Sequence, residues 1–447
     1  MTDEVPMAGG EETSGNNVSF ICKGTVASTI INGEAEISVS EDAVTLTALF
    51  DSVRLSWADV VKLDFVDYAA HIDTKTSEYV ISKLGQNGEP LFNHMLAAYG
   101  DKVRKCLFVK GTPVVKAKGD VSVNEITPLF LRGVPIEVYE DCVVSLPKDL
   151  SSRRMPLSFV NGFSDKDFTL SLSVMGGKTV CYSKLGYDHA PVSKAMQDAI
   201  RALRAEMIKQ IEELDPLTND EQASRFSRFM PGGLAAPMGL IRETSPSFAA
   251  ALEKKIADSR AAETYQVFKE ISGQDAVCVG FKRGTFSSGT EGGEAGSENI
   301  SSPAGGIGEM LSSLQGAANP TEEGTEEAAE KPDYMLWIAA PSPTGNSCAI
   351  EFAGADNEAA ATFVYKFEGA WDMFRIKLGM ALEAIDWKRD VIRLTDEELL
   401  KPENELYSMA EDRNEALKFI RSSFVGRAIH RSMESWKSQV TKLLGPE

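Results

Sequence analysis

The chain has 447 residues, a hydrophobic content of 43% and a formal charge of −20. That length allows roughly three domains of ordinary size, and the apolar content is enough for packed cores. Residues 1–17 carry a net charge of −4 and residues 284–333 a net charge of −9, so most of the acidity lies in two stretches. Nucleic-acid binding is disfavoured, because neutralising phosphates needs a basic footprint. No run approaches the roughly 18 apolar residues of a membrane span, and the acidic start has no apolar leader. Six cysteines, Cys22, Cys106, Cys142, Cys181, Cys278 and Cys348, lie far apart without a C-x-x-C pair, and the four histidines show no metal-ligand spacing. Buried reduced thiols in a soluble cytoplasmic protein are expected.

Residues 1–17, rich in Gly, Glu, Ser and Asn, read as a disordered acidic N-terminus. Residues 18–109 follow with short strands at 18–26, 36–40, 43–50, 53–56, 62–68, 70–72 and 78–82. Acidic or Ser-containing turns separate several of them. A helix is expected after Pro90, because Leu91, Phe92, Met95, Leu96, Tyr99 and Val103 fall on one face. Residues 110–130, with alternating Val and Lys, read as a basic linker. Residues 131–214 then repeat the strand and helix pattern, with a longer helix after Pro191.

The repeat can be aligned. Ser82-Lys83-Leu84-Gly85 recurs as Ser183-Lys184-Leu185-Gly186, each followed within a few residues by a proline. Residues 37–44 and 136–143 share I-x-V-x-E-D-x-V. Asp67-Tyr68 matches Asp167-Phe168. The offsets are 99 to 101 residues throughout, which indicates a duplicated domain.

Residues 215–263 read as a helical linker: a short helix at 220–229, a Gly- and Pro-rich loop at 230–239 and a helix opened by Ser245-Pro246. From 264 to 395 a third sheet-and-helix unit is expected. Its strands are at 264–271, 276–282, 334–340, 347–352 and 361–367, with a helix over 371–385. The Gly-, Ser- and Glu-rich insertion 284–333 interrupts it and reads as disordered. A short strand is expected at 391–394, and a terminal unit, 396–447, is expected to hold one long helix over 404–444.

The fold class is therefore α+β: tandem curved antiparallel sheets or partly open barrels, each closed by one C-terminal helix, plus a long terminal helix. This order of elements resembles the pleckstrin-homology (PH) superfold, including its GRAM and bacterial PH-like variants. The resemblance lies in element order and size, since that superfold has no motif. It implies non-enzymatic binding of protein partners, through open sheet edges and the groove beside the closing helix. It also implies where an anionic lipid headgroup would be held. Lys148, Arg153 and Arg154 lie near the corresponding turns of the second repeat, and Arg54 near those of the first. Lys83 and Lys184 are further candidates for anion contact, although Ser-Lys-Leu-Gly also reads simply as a strand end in which Leu is buried and Gly permits the turn.

No catalytic constellation is visible: G-x-S-x-G, H-E-x-x-H, P-loop, kinase and Rossmann patterns are all missing. No cofactor or metal is expected. The primary expectation is an adaptor or scaffold. The alternatives are peripheral binding to anionic lipid through the second repeat, and an acidic chaperone of basic proteins acting through 284–333.

Overall fold

The computed structural model describes residues 18–124, 128–283, 334–353, 361–385, 387 and 390–445. The acidic segments 1–17 and 284–333 lie outside the described residues.

The first sheet contains β1 (Val18–Ala27), β2 (Gly33–Ser40), β3 (Ala43–Thr47), β4 (Ser52–Ser56), β5 (Val60–Val66), β6 (Ala69–Thr74) and β7 (Glu78–Ser82). Helix α1 (Gly88–Cys106) follows. The strand order is β4-β3-β2-β1-β7-β6-β5. β1 pairs with β2 along its length and with β7 only through Thr25, Val26 and Ala27. Two meanders thus share one strand, which curves the sheet. Leu91, Met95 and Val103 of α1 are fully buried against it.

The second sheet repeats this order with β8 (Val115–Asn124), β9 (Leu129–Val138), β10 (Cys142–Ser145), β11 (Arg153–Pro156), β12 (Val160–Lys166), β13 (Thr169–Val174) and β14 (Lys178–Ser183). Helix α2 (His189–Leu214) closes it. The stretch 110–130 is therefore not a linker over most of its length. It supplies β8, which pairs with both β9 and β14.

The matched tetrapeptides form the same lock in both copies. Leu84 and Leu185 are each 4% exposed. Lys83 and Lys184 both have φ 55°, and Gly85 and Gly186 follow at 56° and 59°. Each leucine enters a space left open by a glycine on the first strand. A Cβ on Gly24 would lie 2.9 Å from Leu84 Cδ2, and one on Gly119 would lie 2.8 Å from Leu185 Cδ2 and 2.7 Å from the Ser183 carbonyl oxygen. Asp67-Tyr68 and Asp167-Phe168 are also one structure twice, since all four residues have φ between 51° and 59°. Positive φ at both central residues is the geometry of a type I′ hairpin turn.

The third sheet differs. Between α2 and its main strands lie α3 (Asp220–Phe229), β15 (Ala236–Pro237), α4 (Met238–Thr244), α5 (Pro246–Ala257) and α6 (Ala262–Ser272). Then come β16 (Cys278–Arg283), β17 (Tyr334–Pro341), β18 (Ser347–Ala353), β19 (Ala361–Lys366), α7 (Trp371–Ala384), α8 (Asp390–Arg393), α9 (Asp396–Leu399), α10 (Glu405–Arg413), α11 (Glu415–Ser423), β20 (Phe424–Ile429) and α12 (Met433–Leu444). The order is serial from β15 to β20, so this sheet does not repeat the topology of the first two. Every residue of β17 is buried. Met335, Trp337 and Ala339 join the core of the second sheet and α7, while Leu336, Ile338 and Ala340 join a second core with α5, α6 and α12. A strand covered on both faces reads as a continuous apolar run rather than as an alternation.

Three further expectations change. Residues 264–271 form α6, whose Thr264, Tyr265, Val267 and Phe268 are buried; short apolar runs fit either period, and here the helical one wins. Residues 391–394 lie largely in α8. The chain does end on a helix, but 404–444 is divided into α10, α11, β20 and α12. Asn414 caps α11 by accepting from the Leu417 N–H, and Ser432 caps α12 by accepting from Ser435. Between them β20 covers the outer side of β19.

The first two sheets are joined by a strand with two buried faces. Val143 of β10 packs into the second core, while Cys142 and Val144 pack into the first. Beside it, Glu137 is 3% exposed. It accepts hydrogen bonds from Arg104 Nε at 2.8 Å, Arg104 NH2 at 2.9 Å and Tyr139 Oη at 2.7 Å. Burial alone would raise this carboxyl, but the Arg104 and Tyr139 hydrogen bonds and the Arg104 charge outweigh it and hold the group at about 2. Below its unfolded value of 4.5 the contribution declines, because folding then requires a proton to be released.

Gly119→Ala should lower unfolding free energy by about 2–3 kcal/mol in a denaturant titration, since the new methyl meets backbone. Gly177→Ala, with open space around it, should cost only about 1 kcal/mol. Glu137→Gln should cost about 3 kcal/mol at pH 7. The gap to wild type should narrow as pH falls from 4.5 towards 2; a gap independent of pH would exclude this ion pair as its source.

Candidate functional site

The six basic residues read as anion contacts are not gathered into one patch. Lys184 Nζ lies 2.7 Å from Asp120, whose other oxygen accepts from the Gly133 N–H at 2.8 Å. Arg154, with a side chain 4% exposed, pairs with Asp141 at 2.6 Å. Arg153 lies 3.6 Å from Glu415 at the start of α11. Lys148 Nζ sits 4.9 Å above the ring of Phe92 on α1. Arg54 and Lys83 are exposed on the first unit. Arg153 and Arg154 do share one feature, a cavity between the second sheet, α7, α10 and α11.

Lys148 marks a different contact. The loop between β10 and β11 lies along the outer side of β5. The Leu63 N–H donates to the Lys148 carbonyl at 2.8 Å, and Lys62 bridges to Asp149. The β5 edge of the first sheet is therefore covered by the second unit at Lys62 and Leu63. Behind it the groove between β5 and α1 is filled. Phe65 stacks on Phe92 at 5.3 Å, and Gly88, which begins α1, leaves room for the Phe65 ring.

The register of the duplication identifies the same place in the second unit. Phe65, Gly88 and Phe92 correspond to Asp165, His189 and Ser193. All three positions have changed, from an apolar stack to a hydrogen-bonded polar set. Ser193 Oγ donates to Asp165 Oδ2 at 2.7 Å, and His189 Nε2 lies 2.8 Å from Asp165 Oδ1. The hydrogen bonds from Ser193 and His189 hold the Asp165 carboxyl below its usual range. The aspartate stands between the serine and the histidine, so the histidine does not reach the hydroxyl as a general base would.

Here the edge is open. Among the described residues, the backbone bond to β12 from outside β13 is a local one, from the Val160 N–H to the Leu157 carbonyl at the start of the strand. Arg204 of α2 reaches only the carbonyl of Val160, at 3.1 Å. Beyond that contact an open groove of about 640 Å³ runs between the end of β12 and α2. Lys166, Lys194 and Arg201 line it, and Phe168 stands 81% exposed at its end. None of the groove residues was singled out from the sequence for function. The signal was present in the difference between the two copies once they are aligned.

Among the described residues no helix is long and apolar enough to cross a membrane. Five of the six cysteines are buried and all are unpaired.

Amide exchange should separate the two edges in the free protein. The Leu63 amide, bonded across the seam, should exchange at least about tenfold more slowly than the outward-facing amides of β12. Equal rates would mean that the Lys148 contact does not persist in solution. No protein-family model matches the chain, and no curated protein matches it significantly.

Proposed function

We propose that the chain is a non-enzymatic adaptor whose PH-like units hold a protein partner through an extended segment, added to β12 and seated beside α2. The observation that carries this reading is the contrast between the copies: the outer edge of β5 is already paired at Lys148 and Asp149, whereas among the described residues no neighbouring strand pairs with the outer edge of β12, which has an open groove next to it. An exposed edge is a template for another strand. Strand addition followed by side-chain recognition in an adjacent groove is a recurrent way of holding peptides.

Magnitudes indicate that both parts are needed. Four ladder hydrogen bonds at a net 0.5–1.5 kcal/mol each supply about 2–6 kcal/mol. Micromolar affinity needs about 8 kcal/mol, so groove contacts must supply the remainder. Lys166 and Lys194 favour a segment carrying a carboxylate, and exposed Phe168 favours an apolar side chain next to it, whereas Arg201 is paired with Asp198. The lipid alternative gains nothing from Arg153, Arg154 and Lys184, each of which faces a carboxylate of the same chain.

The test is selection of displayed peptides on the immobilised full chain, followed by affinity measurements on substituted proteins. Lys194→Trp fills the groove at an exposed position and should weaken the selected peptides at least about tenfold. Asn93→Trp, at the corresponding position of α1, should leave them unchanged. Failure to enrich any peptide, or equal loss in both variants, would refute the assignment.

A further inference from the structure

The cavity beside Arg153 and Arg154 is a separate feature from the groove. It has a volume of about 100 Å³ and lies between the concave face of the second sheet and a lid made by α7 and α10. Val121, Val143 and Val180 form its floor, and Met380, Ala384 and Ala410 line the lid side. Into this apolar space the fold places two guanidiniums, Arg154 and Arg413.

Arg413 is the unusual one. It is 4% exposed. Its NH1 donates to the Met409 carbonyl at 3.1 Å and its NH2 to Tyr99 Oη at 2.9 Å. Its Nε is buried without an acceptor. Among the described residues no carboxylate pairs with it. The comparable arginines all have one: Arg104 has Glu137, Arg154 has Asp141, Arg375 has Asp372, and Arg421 has Asp396 and Glu411. The C-terminal end of α10 offsets part of the buried charge through the Met409 carbonyl. A guanidinium in a low-dielectric interior nevertheless calls for a counter-charge. Arg154 Nε is buried and also lacks an acceptor, although the rest of that guanidinium is paired.

We infer that this cavity is a binding site for a short-chain aliphatic carboxylate, with its head on Arg413 and its tail against the valine floor. An apolar cavity of about 150 Å³ accommodates benzene, with its six heavy atoms, so the present, smaller space of about 100 Å³ suits an acid of roughly two or three carbons. The mouth carries Arg153, Lys178 and Glu415, so the approach is cationic on balance in a chain of net charge −20. That balance favours entry of an anion.

The test uses the full chain and propanoate, with propanamide as the neutral match in shape. Calorimetry should show saturable binding of propanoate at one site, with propanamide at least about tenfold weaker, because charge-assisted hydrogen bonds to guanidinium are lost. Arg413→Met should remove the preference for the acid, and Ala410→Phe, which fills the space, should abolish binding of both. Should either variant fail to fold, the acid-to-amide comparison on the unsubstituted protein decides alone. Equal affinity for the two, or no saturable propanoate binding in the millimolar range, overturns the assignment.

Discussion

An antiparallel sheet ends in two strands whose outer backbone groups it cannot satisfy by itself, and a chain must pair them, cover them or use them. This protein treats two corresponding strands in opposite ways. On β5 the second unit lays down its own backbone at Lys148 and Asp149, and phenylalanines fill the adjoining groove. On β12 there is no such backbone among the described residues, and Asp165, His189 and Ser193 keep the groove open and polar. Duplication supplied two equivalent edges. One was used to join the copies, which left the other available for a partner.

The second unit is central to the architecture. Its β10 contributes to two cores, and Glu137 ties its β9 to α1 through Arg104. Its own core continues through α7 into one face of the third sheet. The third sheet and its helices thus close the concave side of the second unit while leaving the outer side of β12 unpaired. The same closure creates the small cavity in which Arg413 lacks a counter-charge. Packing at the seams and openness at β12 are two consequences of one arrangement.

Much of this fold was legible because the duplication fixed a register. The Ser-Lys-Leu-Gly pairs located both strand ends and both helix starts, and the lock on Gly24 and Gly119 explains why the pattern recurs. The reading failed where a local cue was outweighed. Residues 115–123 alternate Val, Ala or Gly with Lys, Asp and Ser, which is a half-buried strand pattern, yet the lysines suggested a linker. Asn414 and Ser432 are caps, but the apolar face running past them suggested one helix. The third unit looked like a third copy because strands followed by a helix describe many folds, and only the pairing shows a serial sheet with two buried faces. At the candidate site, Asp165 and Ser193 were detectable by subtracting one repeat from the other. Arg413 was not, because its isolation depends on neighbours more than 300 residues away, such as Tyr99.

The most direct measurement is an amide-exchange footprint of the full chain with and without a selected peptide at saturation. The backbone of β12 should gain protection together with the facing turn of α2, while β5 remains as it was. Protection confined to other strands, or appearing on β5 in place of β12, would contradict the assignment of the open edge as the docking site.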